Sequence, residues 1–172
     1  MQHLLVEIKA RTAKADQIRT FLEKNKTYFK GVDYQTDTYF KVNKGRLKLR
    51  EGNIENHLIQ YYRPNQAEAK TSEVLLYKSN PESTLKQILT NALGELVVVK
   101  KKREIYFIDN VKFHIDEVDQ LGSFAEIEAI GNKGEHLEED LRAQCLHYQQ
   151  LLGIRTEDLV EVSYSDMLLA NE

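Results

Sequence analysis

A mostly antiparallel sheet with a few helices, an α+β fold, is what this chain predicts, and three observations carry that reading. About eight segments alternate with the period of a strand, few stretches repeat at helical spacing, and no strand-helix-strand alternation dominates. Leu4 to Ala10 alternates as the first strand, and Ile18, Phe21 and Leu22 mark a helix within Ala13 to Lys24. Thr36 to Val42 is rich in strand formers. Asn43-Lys44-Gly45 then supplies residues that tolerate a left-handed turn before Arg46 to Glu51, which predicts a hairpin. A further strand over His57 to Arg63 is stopped by Pro64-Asn65, and another over Ser72 to Lys78 by Asn80-Pro81.

Ser83 or Thr84 caps a helix running to Leu93, with Ile88, Leu89 and Ala92 as its stripe and Gly94 closing it. Leu96 to Lys102, Glu104 to Ile108, Val111 to Val118 and Phe124 to Ile130 follow as successive antiparallel strands, with turns at Asp109-Asn110 and Gln120-Leu121-Gly122. Glu135 to Leu152 is the longest amphipathic helix, Gly153 ends it, and a short helix follows Ser163. Asn65 to Thr71 is the one candidate flexible segment.

A length of 172 residues predicts one domain, 1–172, large enough to bury a core. The hydrophobic share of 41% is globular, and the charged share of 30% is high enough that some charges must do more than dissolve the protein. A net charge of −3 argues against nucleic acid as a partner. Cys145, the only cysteine, excludes an intramolecular disulfide and has no zinc-type spacing around it. With neither a signal pattern nor an apolar run of the ~20 residues a membrane span needs, a cytoplasmic protein without a membrane partner is expected.

Strand parity places charge on the face that a sheet protein usually keeps oily. On the first strand Glu7 and Lys9 share a face with Leu5, while Leu4, Val6 and Ile8 face the other way. Arg46, Lys48 and Arg50 share one face opposite Leu47 and Leu49. Lys101 and Arg103, His114 and Asp116, and Glu126 and Glu128 are likewise two apart. A half-exposed sheet with solvated charges accounts for the alternation equally well. What favours a polar interior is segregation by sign, with cations on central strands and carboxylates on the last. Carboxylates two apart on a strand lie roughly 7 Å from one another and suit a hard divalent cation, Mg²⁺ or Mn²⁺, while facing Arg and Lys suit phosphate oxygens.

The same residues carry a resemblance. Glu7-Ile8-Lys9, Asp37 to Phe40, Arg46 to Glu51, Tyr62-Arg63-Pro64, Lys101 to Glu104, and His114 to Asp116 followed by Leu121 to Glu128 make the chain resemble the CYTH family, the triphosphate tunnel metalloenzymes. This family includes class IV adenylyl cyclases and thiamine triphosphatases, and the segment Gly122 to Glu128 looks most like the cyclase branch. The resemblance implies a closed eight-stranded antiparallel β-barrel, a tunnel with flanking helices. It implies that Lys9, Lys48, Arg50, Arg63, Lys101 and Arg103 hold the phosphates, that Glu7, Asp116, Glu126 and Glu128 hold Mg²⁺ or Mn²⁺, and that Glu7, Asp116 and Glu126 are catalytic. Arg46 is a weaker phosphate candidate.

The activity so implied is conversion of ATP to cyclic AMP and pyrophosphate, with a triphosphatase as the alternative. The partner is a nucleoside triphosphate or an inorganic triphosphate or polyphosphate, and a homodimer stays open. One departure bears on this: the family signature Glu-x-Glu-x-Lys reads Leu5-x-Glu7-x-Lys9 here, so metal affinity should suffer and a phosphate-binding module without turnover is a third expectation. His3 shares the face of Glu7, but its terminal position predicts exposure to solvent. His114 reads as a structural hydrogen-bonding residue before a catalytic one, Tyr61 and Tyr62 as packing residues before stacking ones, and Phe107 and Phe113 as core. Lys70 and Ser72 sit where family members meet a nucleotide, although an ordinary loop is the plainer reading of Ala69 to Glu73.

Overall fold

A computed structural model describes residues 2–25, 27–63, 66, 68–132 and 134–172, with Gln2 described in its backbone only. Pro64 and Asn65, expected to stop a strand, lie outside the described residues. Eight strands form in chain order: β1 (Gln2–Arg11), β2 (Tyr28–Phe40), β3 (Arg46–Glu51), β4 (His57–Tyr62), β5 (Lys70–Lys78), β6 (Glu95–Ile108), β7 (Val111–Val118) and β8 (Gly122–Asn132). They close into a barrel in the order β1-β5-β4-β3-β2-β6-β7-β8, every pairing antiparallel, because β1 pairs with both β5 and β8. Eight strands leave an interior wide enough for side chains and one small ligand.

The helices are α1 (Ala15–Lys24), α2 (Leu85–Leu93), α3 (Glu138–Leu151) and α4 (Tyr164–Ala170). None is long and apolar enough to cross a membrane.

Two expectations shift in detail. The strands predicted over Leu96 to Lys102 and Glu104 to Ile108 are one continuous β6, since Arg103 is an inward residue of a long strand and not a break. Next to it, β2 begins at Tyr28, eight residues before the predicted Thr36, and bends where Gly31 adopts φ 137° at a register shift. A Cβ there would lie 2.9 Å from Ile54, so both conformation and space call for glycine.

The main core lies outside the barrel. Val6 and Ile8 of β1, Phe113 and Ile115 of β7, and Ile127 of β8 point outward and bury against Ile18 and Leu22 of α1 and Leu141 and Cys145 of α3. Parity therefore leaves the charged positions of these strands facing in. A second apolar cluster lies inside, where Tyr39, Val99, Val118 and Phe124 meet Tyr164 and Leu168 of α4. A capping box between Ser163 and Asp166 starts α4, and Arg46 fastens it, donating to Ser163 Oγ at 2.9 Å, Ser165 Oγ at 3.1 Å and Asp166 Oδ2 at 2.8 Å.

Candidate functional site

A cavity of about 250 Å³ runs through the barrel, and the inward positions of the strands form its wall. Every residue expected to bind phosphate or metal lines it, with the exceptions of Asp116 and the weaker phosphate candidate Arg46. Lys9, Arg50, Lys101, Arg103 and Glu126 are each under 8% exposed, so these are desolvated charges, and each cation has a carboxylate partner. Isolated buried charges would be prohibitive, and pairing is what makes them tolerable.

Asp37 is the hub of one half. It accepts both arms of Arg50 at 2.9 and 2.8 Å and Lys101 Nζ at 2.8 Å, and it lies 3.2 Å from Lys48 Nζ. Burial pushes its carboxyl up, but Arg50, Lys101 and Lys48 override this and hold it well below the usual carboxylate range. Burial likewise drives the Lys101 ammonium down, against the pull of Asp37, to about 7. Glu55 completes this half by pairing with Lys112 and with Arg50 at 3.3 Å.

The other half centres on Arg103, which clamps Asp116 through two bonds of 2.7 and 2.6 Å and reaches Glu126 at 3.2 Å. Tyr164 donates a further 2.7 Å bond to Asp116. Asp116 is fully buried with its oxygens engaged, so in this structure it orients Arg103 from behind the cavity wall. Lys9 lies 3.6 Å from Glu126, and Arg63 pairs with Glu7. Burial raises the Glu7 carboxyl, Arg63 opposes it, and the net shift is downward. Glu126 is held well below its ordinary range, burial being outweighed by Arg103 and Lys9.

His114, Glu126 and Glu128 place one possible metal-ligand atom each within 4.8 Å of one another. His114 Nδ1 lies 3.0 Å from Glu126 Oε2 and 3.9 Å from Glu128 Oε1, while its Nε2 is buried without a partner. Burial, aided by Arg103, lowers its pKa, which keeps the ring neutral as a metal ligand must be. Two carboxylates and an imidazole fit a divalent cation, and Glu7, Cα partner of Glu128 across β1 and β8, stands beside them.

Several residues were not foreseen, or were foreseen differently. Asp37 was visible only as part of a motif, although its register partner is Arg50. Glu55 lies in a loop without periodicity, positioned by Asp33, whose carboxylate accepts from the Ile54 and Glu55 amides at 2.9 and 3.0 Å. Arg46 does not line the cavity and serves α4 instead. Lys70 to Glu73 is strand, not loop, with Ser72 on the cavity wall and the Lys70 ammonium on the Val160 and Glu161 carbonyls. His3, expected in solvent, lines the cavity, with Nδ1 buried. His114 is 1% exposed and Tyr61 is 7% exposed, and Lys102 faces outward while Arg103 faces in.

The profile of the CYTH domain matches residues 3–164. A protein of Methanocaldococcus jannaschii named "Putative adenylate cyclase MJ0240" is 27% identical over 146 residues, covering 81% of this chain and 78% of its own. Among solved structures, the PH1012 protein from Pyrococcus horikoshii is similar, with a TM-score of 0.79 at 24% identity, over 94% of this chain and 98% of its own. So is a structure from Vibrio parahaemolyticus described as "a putative adenylate cyclase", with a TM-score of 0.72 at 18% identity, over 96% and 98% of the two chains. At these identities the solved structures show the shared fold.

Proposed function

We propose that this chain, which belongs to the CYTH domain family, is a divalent-metal-dependent enzyme that acts on a nucleoside triphosphate, as an adenylyl cyclase does, taking ATP to cyclic AMP and pyrophosphate. The observation that carries the reading is the convergence of Lys9, Lys48, Arg50, Arg63, Lys101 and Arg103 with Glu7, Glu126 and Glu128 on one cavity. These cations and carboxylates now satisfy one another, and they are the same groups that an oligophosphate and a metal ion would need. Binding the two together exchanges internal ion pairs for external ones without stranding a buried charge.

When bound, Mg²⁺ or Mn²⁺ would neutralise phosphate charge, held by Glu126, Glu128 and His114 with Glu7 adjacent. Arg50 and Arg103 offer planar guanidinium forks to phosphate oxygens, and Lys9, Lys48 and Lys101 act as point charges on a departing pyrophosphate. Cyclisation forms a bond from the ribose 3′ oxygen to the α-phosphorus, breaks the bond from that phosphorus to the bridging oxygen, and sends the hydroxyl proton to a carboxylate, the role we assign to Glu7 or Glu126. Asp116 and Tyr164 keep Arg103 aimed.

The test is incubation of purified protein with ATP and Mg²⁺ or Mn²⁺, separating cyclic AMP, pyrophosphate and phosphate. Cyclic AMP with equimolar pyrophosphate supports the reading, and phosphate alone replaces it with a triphosphatase. A second reading, capture of the triphosphate without turnover, is favoured by Leu5, which stands where the family signature has a carboxylate. Tight ATP binding with no product would establish that instead.

A further inference from the structure

The row of phosphate-binding cations stops at an acid that the proposed chemistry leaves unused. On β3 the last inward cation is Arg50, and beyond it the loop of residues 52–56 turns Glu55 back into the cavity. Glu55 is 5% exposed and spreads its two oxygens over three cations. Its Oε1 lies 2.5 Å from the Lys112 ammonium and 4.0 Å from that of Lys30, while its Oε2 accepts from Arg50 Nη1 at 3.3 Å and from the Gln35 side-chain amide at 3.4 Å. Lys112, on β7, also lines the cavity and is not among the six cations proposed to hold phosphates. Arg50 and Lys112 thus make an anion seat at the end of the row, and the protein's own carboxylate sits in it.

This acid is pinned in place. Asp33, fully buried, accepts from the Ile54 and Glu55 amides at 2.9 and 3.0 Å. The Asn56 side chain closes the loop on itself, accepting from the Gly52 amide at 3.1 Å and donating to the Gly52 carbonyl at 2.9 Å. Asn53 ties the loop to β2, accepting from the Tyr34 amide at 2.6 Å and donating to the Val32 carbonyl at 3.0 Å. Contact requires glycine at position 52, since a Cβ there would lie 2.4 Å from an Asp33 oxygen. A loop so fixed leaves Glu55 little room to withdraw, and a carboxylate pushed off Arg50 and Lys112 would stay buried beside the anion that displaced it. Opposing a wrong ligand with such a charge is how a site excludes it.

We propose that Glu55 is a specificity-determining residue that ends the phosphate path at Arg50. The tunnel then accepts a triphosphate and refuses a longer chain, whose next phosphate would meet a fixed carboxylate. Arg50 serves both sides of this stop: its Nε and Nη2 turn to Asp37 within the phosphate site, and its Nη1 turns to Glu55. Lys112 is the cation that a further phosphate would need, and Glu55 keeps it covered. The inference rests on the oligophosphate reading and deepens it, since it assigns the chain length that the site takes and the residue that sets it.

The experiment is calorimetric binding of linear inorganic tripolyphosphate and tetrapolyphosphate, at one fixed free Mn²⁺ concentration, to the wild-type chain, Glu55→Gln and the double variant Glu55→Gln/Lys112→Met. Wild type is expected to bind tripolyphosphate about tenfold more tightly than tetrapolyphosphate, although the longer chain carries more charge. Glu55→Gln keeps the side-chain size and the backbone bonds to Asp33, and it should bring the two affinities within about twofold of each other by strengthening tetrapolyphosphate. Adding Lys112→Met should undo that gain and move tripolyphosphate affinity by less than about twofold. If wild type binds tetrapolyphosphate as tightly as tripolyphosphate, the inference is overturned whatever the variants do, so it stays testable even if neither variant folds. It is overturned equally if Glu55→Gln strengthens both chains alike, or if the gain survives Lys112→Met, and in those cases the phosphate site stands. If wild type binds neither chain, the oligophosphate reading falls and takes this inference with it.

Discussion

A charged wall, bearing Arg50, Lys101 and Arg103, and an apolar wall, bearing Leu5, Ile59, Val74 and Ile130, face the same cavity but settle their polar atoms differently. On the first wall, Arg50, Lys101 and Arg103 are matched to Asp37, Asp116 and Glu126, and nearly every charge is cancelled within the protein. On the second, Ser72 and His3 leave single polar atoms unmatched among Leu5, Ile59 and Val74. The contrast teaches that the charged wall can stand without ligand because its charges are paired, whereas the apolar wall carries no charge and leaves single neutral polar atoms unmatched.

The comparison breaks most visibly at Arg103. Arg103→Ala strands Asp116 and Glu126 in the interior and should cost about 3–5 kcal/mol, read as a lower midpoint in urea unfolding, and should abolish triphosphate binding. A loss under about 1 kcal/mol would mean that the charged wall is hydrated and not paired out of necessity.

Leu5→Glu puts a carboxylate into the apolar wall one level from Glu7 and Glu128. It should cost about 1–3 kcal/mol without metal, and added Mn²⁺ should restore part of the lost melting temperature. Melts that Mn²⁺ leaves unchanged would show that position 5 does not reach the metal cluster.

The Lys101 ammonium titrates next. Its folded value, pushed down to about 7 by burial, lies below the ordinary lysine range, so between the two the unfolded chain binds more protons than the folded one. The penalty for burying this charge is therefore complete below about pH 7 and is relieved as pH rises above it. A polyanion bound beside Lys101 should restore its proton, so triphosphate binding at pH 8 should take up about one proton. Binding heats that do not vary between buffers of different ionisation enthalpy would contradict this.

The smallest effect is expected from Lys102→Ala, whose side chain points outward towards Glu117 at 4.0 Å. It should change stability by less than about 0.5 kcal/mol and leave ligand affinity unchanged. An effect as large as that of Arg103→Ala would undo the assignment of faces.

Much of the charged wall was legible because strand periodicity is local: once Lys101 to Glu104 is read as strand, Arg103 and Lys102 must part to opposite faces. The same rule placed Glu7 with Lys9 and Glu126 with Glu128. Asp116 shows where that reasoning stopped. Parity sent it inward correctly, but it could not reveal that Arg103 and Tyr164 would occupy both its oxygens. Glu55 had no periodicity to betray it, and Arg46, inward by parity, was claimed by α4, which arrives more than a hundred residues later.

Order along the chain thus set the strands, the side of each residue and the antiparallel class, because alternation and turn chemistry act between near neighbours. Which inward groups would meet was settled only by closure of β1 onto both β5 and β8. That closure fixes levels around the barrel, and levels decide the rest: Leu5 beside Ser72 and Ile130, Glu7 beside Glu128, Lys9 beside Glu126. Coulomb attraction and desolvation depend on those distances in space and not on separation in sequence.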